Sequence, residues 1–203
     1  MKLYYSNMSS SSRRVSLVVA HLGIELEHVH IDLMTDRARI TALNPNSKIP
    51  VLEDGDFILW ESNAIAEYLC ERVPGQTLVP AEPRARADVQ RWLFWQSAHL
   101  AVALGGLAYE KMWKKIVSGG DPDPARVAEH ERNLGSLSKV LEAHLAGREW
   151  MVGRSLTLAD FSIATAFMYA GKLELSLAAY PSLRAHLERV HALPAWKQTE
   201  PRW

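Results

Sequence analysis

The stretch that most restricts what this chain can fold into lies between residues 44 and 60. Asn44-Pro45-Asn46-Ser47-Lys48-Ile49-Pro50 runs directly into Val51-Leu52-Glu53, then Asp54-Gly55-Asp56, then Phe57-Ile58-Leu59-Trp60. Two short apolar runs joined by Asp-Gly-Asp predict a β-hairpin. Pro50 has no N–H to give a ladder, so it stands at the strand entrance, after a kinked approach with exposed backbone. An ordinary loop-to-strand proline is the plainer reading of Pro50 taken alone.

The signals on either side complete a small mixed sheet. Lys2–Tyr5 is short and β-prone, and Val15, Val18, Val19 and Leu22 recur at helical spacing until Gly23, which suits a C′ position. A strand is predicted over 26–31, a helix over 36–43 and another over 61–72, the last with Ile65, Tyr68 and Leu69 on one face. The resulting order, β-α-β-α-β-β-α, is the thioredoxin-like arrangement, an α/β domain. Pro74, Gly75, Pro80 and Pro83 mark a linker region. The first domain is therefore set at 1–76, the linker at 77–83, and an all-helical bundle domain at 84–203. In that second half one long helix is expected over 84–117. A restart at Asp123-Pro124 follows, as N-cap and first-turn proline, with a stripe of Leu134, Leu137, Leu141 and Leu145. Shorter helices are predicted over 158–170, 182–191 and 195–198.

Bulk properties remove several classes of function. The chain has 203 residues, 48% hydrophobic and 23% charged, with Lys+Arg and Asp+Glu both 23. The resulting zero net charge provides no electrostatic footprint for nucleic acid. No apolar run approaches the roughly 20 residues that span a bilayer, and Met1–Asn7 lacks a signal-peptide core. The single cysteine, Cys70, excludes an internal disulfide and fits a reducing, cytoplasmic setting. The eight histidines are scattered, so no metal site is expected.

Two further segments carry chemistry. Glu61-Ser62 falls where the hairpin ends and a helix begins, a place of unpaired amides and positive dipole that welcomes a carboxylate. There Ser62 can hydrogen-bond a carboxylate and Glu61 can pair with an ammonium group; alternatively Ser62 merely caps the helix and Glu61 favours its N-terminus. Ser9-Ser10-Ser11-Ser12-Arg13-Arg14 sits between the first strand and first helix. A hydroxyl held there can donate to a sulfur and favour thiolate over a thiol that titrates near ~8.5. A Ser-rich turn with one helix cap is the competing reading.

In this order and at these separations the three segments resemble the glutathione transferase family, over essentially the whole chain. The similarity rests on Asn-Pro-x-x-Lys-Ile-Pro-Val-Leu and Glu-Ser-x-Ala-Ile. It implies that the Ile49-Pro50 bond is cis and that the Ile49 backbone pairs with the cysteinyl part of glutathione, like an added strand. The γ-glutamyl head would meet Glu61 and Ser62, and the glycyl carboxylate Lys48, a role also open to Arg13 or Arg37. Serine-type members (theta-, phi- and zeta-like) carry their catalytic hydroxyl where Ser9 stands. Beta-type members place a cysteine at about Ser11, but this loop holds no thiol, so thioltransferase chemistry is not expected. Ser9 is favoured as the catalytic hydroxyl, with Ser10 and Ser11 as alternatives.

Further positions follow from the same resemblance. His99 stands where beta-type members have a histidine near the glutathione sulfur, and polarising and core roles are equally open. Tyr109 and Trp113 either line an apolar co-substrate pocket or pack the helix; Trp196 and Trp203 could close that pocket. Thr157 and Asp160 form a capping box, with Leu156 and Phe161 as its staple, a structural element of the family. Cys70 reads as a small core hydrophobe. The expected activity is attack of glutathione on a small hydrophobic electrophile by a homodimer that uses glutathione as co-substrate. A zeta-like isomerase and a non-catalytic adaptor or ligand-binding protein are the alternatives.

Overall fold

The computed structural model describes residues 1–32 and 34–201. Contacts divide the chain into Met1–Pro80 with His191–Trp203, and Ala81–Val190. The C-terminal tail, assigned from sequence to the helical half, thus groups with the first unit. Its anchor is a long-range side-chain contact that no local pattern shows. The Arg13 guanidinium lies 3.8 Å over the Trp196 ring and donates to Trp196 O at 3.2 Å.

In the first unit the elements are β1 (Lys2–Tyr5), α1 (Ser10–Leu22), β2 (Glu27–His30), α2 (Arg37–Leu43), β3 (Val51–Asp54), β4 (Phe57–Trp60) and α3 (Ser62–Glu71). The four-stranded sheet runs β2-β1-β3-β4, with β1 parallel to β2 and the other pairs antiparallel. α1 stops at Gly23, whose φ of 64° a side chain would strain. Strand alternation sends Tyr4 and Val51 to one face, into a cluster with Ile31, Ile40 and Ile49 beneath α2. Leu3 and Leu52 go to the other face, where α1 packs against α3 and Val18, Ile65 and Leu69 are fully buried. Each such aliphatic side chain contributes about 1.5–3 kcal/mol by leaving water. These two apolar layers hold the sheet, and the sheet holds the site.

The second unit opens with α4 (Pro83–Trp95), α5 (Ala101–Ala108) and α6 (Lys114–Ser118). The single helix expected over 84–117 is instead interrupted by π-helical segments at Gln96–Leu100 and Tyr109–Trp113. Each π turn inserts a residue into the α ladder. Buried polar side chains accompany both. Gln96 accepts from Ser162 Oγ at 3.2 Å, and Glu110 accepts from Lys114 Nζ and from the backbone of Asp123, both at 2.8 Å. α7 (Pro124–Leu145) begins as expected, with the Asp123 carboxylate accepting from Ala125 and Arg126 N–H. α8 (Leu158–Ala166) is buried along its length and opens with the expected capping box of Thr157 and Asp160. A 3₁₀ turn (Phe167–Tyr169) and α9 (Pro181–His191) follow, and α10 (Pro194–Gln198) lies in the tail. Among the described residues no helix is long and apolar enough to cross a membrane.

Candidate functional site

The strand register gathers the three chemically suggestive segments. Tyr4 lies opposite Val51 and Val51 opposite Trp60. The end of β1, the start of β3 and the end of β4 therefore share one end of the sheet. Neighbouring strands are about 4.8 Å apart, so the turn after β1, the bend at Ile49-Pro50 and the start of α3 occupy roughly 10 Å of that edge.

At the first of these, Ser9 is the N-cap of α1, with extended backbone and its Oγ accepting from Ser12 N at 3.1 Å. Its own N–H donates to Ser6 O at 3.1 Å, which fixes the turn. Ser9 is the acceptor in its cap bond, so the hydroxyl proton is directed away from the helix. The first turn of α1 holds no acidic residue to offset the positive helix end. Ser10 and Ser11 are half-buried on that turn, whereas Ser12 is fully buried and accepts from Ser6 N. Ser9 thus caps the helix, as the competing reading of the serine string has it, and keeps its hydroxyl proton for another acceptor.

The Ile49-Pro50 bond is cis. Both ladders begin at Val51, so the backbone of Ile49 lies outside them. The bend is clamped by Asn44, buried to 3% exposure, whose amide donates to Lys48 O at 2.8 Å and accepts from Asn46 N at 3.0 Å. Lys48 itself is exposed and Ile49 is buried. Asn44 was visible in the sequence motif, but its role as a clamp depends on a turn geometry that spacing alone does not give.

At α3 the N-cap position belongs to Glu61, an exposed residue at φ 74°, a left-handed backbone uncommon for a side-chain-bearing residue. No side chain caps this helix, and its first turn has no acid. Ser62 is therefore not the cap that the plainer reading made it. It is buried, and its Oγ accepts from Arg14 Nη1 at 2.7 Å. Arg14 is the residue that sequence reasoning missed. It is 4% exposed, and burial pushes its guanidinium down to about 10, opposed by the nearby charge of Glu61. A buried cation thus stands behind the hydroxyl at the start of α3. Arg13, offered as a partner for a glycyl carboxylate, is committed instead to Trp196.

In the second unit His99 lies on the first π segment, exposed, with its ring 6.1 Å from that of Trp95. A core role for His99 is thereby excluded. Tyr109 and Trp113 open and close the second π segment; Tyr109 is exposed, and Trp113 meets Tyr169 edge-on at 6.0 Å. Cys70 is fully buried, and burial pushes its thiol up to about 12, so it holds no thiolate at neutral pH. Trp203 lies outside the described residues. Among the described residues no group of three or more His, Cys, Asp or Glu is arranged to hold a metal.

A thioredoxin-like sheet with a hydroxyl-bearing turn, a cis proline bend and an uncapped helix start, joined to a helical unit, defines the glutathione transferase class. Comparison with known proteins agrees: residues 3–77 match the model "Glutathione S-transferase, N-terminal domain" and residues 104–194 the model "Glutathione S-transferase, C-terminal domain". The chain belongs to the glutathione S-transferase family. It is 34% identical to glutathione S-transferase 3 of Zea mays, over 98% of this chain and 92% of that protein. It is 30% identical to the probable glutathione S-transferase GSTF2 of Oryza sativa subsp. japonica, over 96% and 93%. Among solved structures, glutathione S-transferase III in apo form superposes with a TM-score of 0.85 at 34% identity, covering 98% of this chain and 94% of that one. Glutathione S-transferase-I bound with lactoylglutathione gives a TM-score of 0.87 at 25% identity, over 98% and 97%.

Proposed function

We propose that this glutathione transferase binds glutathione across the shared sheet end and uses the Ser9 hydroxyl to hold its sulfur as a thiolate. The supporting observation is the register that puts Ser9, Ile49-Pro50 and Glu61-Ser62 on one edge. The tripeptide backbone pairs with Ile49, outside the ladders, in the manner of an added strand. Its γ-glutamyl carboxylate meets the uncapped α3 amides and the Ser62 hydroxyl, whose oxygen is occupied by Arg14, so its proton points toward the ligand. Glu61 takes the ammonium group on the same carbon, and Lys48 the glycyl carboxylate. A hydrogen bond from Ser9 to the charged form lowers the thiol pKa. The thiol proton leaves to solvent, sulfur attacks an electrophilic carbon, the C–S bond forms and the leaving group departs with its electron pair. Ser10 and Ser11 are the alternatives to Ser9.

The co-substrate is a small hydrophobic electrophile, the working unit a homodimer and the location the cytoplasm, where an inert, buried Cys70 is suited to reducing conditions. Calorimetric titration with reduced glutathione, combined with turnover of chlorodinitrobenzene, tests the reading. Micromolar to millimolar binding with saturable turnover is expected. Absence of both heat and thermal shift would remove the function, and binding without turnover of any electrophile would leave only a ligand-binding role.

A further inference from the structure

Two histidines of the first unit belong to none of the segments given above to glutathione. His28 and His30 are two apart on β2, the outer strand of the sheet. Successive side chains of a strand point to opposite faces. Val29 packs against the Tyr4, Ile31 and Ile40 cluster beneath α2, so His28 and His30 both stand on the other face. The register agrees, with His28 beside Leu3 and His30 beside Tyr5. Both imidazoles are exposed, and both meet the Tyr5 ring edge-on, at centroid distances of 5.3 and 5.8 Å. Among the described residues neither imidazole is committed to a hydrogen bond or an ion pair.

This spacing specifies a ligand chemistry. Alternate residues of a strand are about 6.6–6.8 Å apart. Two imidazoles on such a base can turn toward one ion, each at a metal–nitrogen distance of about 2.0–2.1 Å. Their shared packing on Tyr5 keeps both rings over one patch, which reduces the freedom lost on chelation. Among the described residues no third His, Cys, Asp or Glu joins them, so water completes the coordination. The pair is therefore an open chelate rather than the closed set of a structural zinc. Neutral imidazole nitrogens suit late first-row divalent ions, whereas Mg²⁺ and Ca²⁺ take oxygen. Within that row Cu²⁺ is bound most tightly. Glu200 and His28 line one concavity of about 370 Å³, where the carboxylate adds charge that favours a cation. Arg13 lines it too, but its guanidinium is held against Trp196. We propose that His28 and His30 chelate a divalent late first-row transition-metal ion at the outer edge of the sheet, Cu²⁺ in preference to Zn²⁺.

The probes are Cu²⁺, Zn²⁺ and Mg²⁺ salts, titrated into the full chain without glutathione, whose thiolate would compete for the ion. One equivalent of Cu²⁺ should bind with micromolar affinity, and its electron paramagnetic resonance should show two coordinated imidazole nitrogens. Zn²⁺ should bind at least about 10-fold more weakly. It should shift the ring protons of His28 and His30 before those of any other histidine, and millimolar Mg²⁺ should leave them in place. His28→Gln and His30→Gln, both conservative changes at exposed positions, should each weaken Cu²⁺ at least about 10-fold, because losing either imidazole breaks the chelate. The double variant should be within about threefold of the weaker single one, since both changes break the same pair. His99→Gln, in the second unit, should leave the affinity within twofold of the unmodified chain. Copper held as tightly by both Gln variants, Zn²⁺ shifts that begin at other histidines, or a spectrum without two nitrogens would each overturn the site. None of these readouts uses turnover, so the outcome is independent of the glutathione reading.

Discussion

A serine hydroxyl favours a thiolate only when something else fixes where its proton points, and in the site proposed above the helix does so. Ser9 accepts from Ser12 N–H, which leaves its own donor for another acceptor, in the proposed site the glutathione sulfur. Replacing Ser9 with Ala removes a hydrogen bond to a charged atom, worth about 1.5–3 kcal/mol. We expect kcat to fall by one to two orders of magnitude while glutathione affinity, read by calorimetry, changes less than about threefold. Unchanged turnover in that variant would transfer the role to Ser10 or Ser11. Arg14 acts differently: it is bonded to Ser62, and in the proposed site its buried charge stands behind the ligand carboxylate. Arg14→Met should raise KM for glutathione about 10-fold with a smaller effect on kcat. Arg14→Met and Ser62→Ala together should cost less than the product of their separate effects, since each breaks the same pair. The turn at Ser9, the bend at Pro50 and the helix start at Glu61 were legible in the sequence because each follows from neighbours in the chain. Arg14 was not, since its partner is 48 positions away and only the packing of α1 on α3 brings them together.

Elements whose ends are encoded locally were also legible. The hairpin, the Gly23 stop and the α7 start appear where turn and cap residues put them, to within a residue or two. The π segments were not, because an 8-residue apolar spacing reads as a change of face until it is known which side chains are exposed. The capping box of α8 is the element whose energetics are most testable. Asp160 is fully buried and accepts from Met151 N, Thr157 N and Thr157 Oγ1 at 2.7–2.9 Å, with His186 Nε2 3.7 Å away. Burial raises its carboxyl from 3.8 to about 6, against the three hydrogen bonds that hold it down. A folded-state value above the unfolded one means that the folded state binds this proton more tightly. The associated stability is present below about pH 4 and is lost as pH rises through about 6. Urea unfolding of the wild-type chain and Asp160→Asn at several pH values should show the stability difference shifting by roughly 2–3 kcal/mol against the wild type between pH 4 and 7. A difference that stays flat across that window would mean the carboxyl titrates at its ordinary value.

At the scale of the whole molecule, the same π segments bear on assembly. Phe94, Val102, Tyr109 and Val117 are 71%, 61%, 41% and 57% exposed. Their spacings are 8, 7 and 8 residues, and two helical turns take about 7.2. A π segment lies inside each 8-residue interval, so the inserted residue restores the phase and all four side chains share one face of the α4–α6 helix. In a straight α-helix the four would lie at about 0°, 80°, 60° and 140° around the axis, spread over more than one face. An apolar stripe three intervals long on a water-facing helix has an uncompensated hydrophobic cost unless another surface covers it. Two copies related by a two-fold axis can cover it with the same stripe, the isologous contact that most homodimers use. Analytical ultracentrifugation should therefore give about twice the chain mass at micromolar concentration. Phe94→Asp should put two like charges near the axis and shift the protein toward the monomer at least 10-fold, and Val102→Asp should act in the same direction. Lys139→Asp, a larger charge change at an exposed position of α7, should leave the mass unchanged. A monomer at every concentration, or a dimer indifferent to Phe94→Asp and Val102→Asp, would place the contact elsewhere and reduce the in-phase stripe to a local property of the helix.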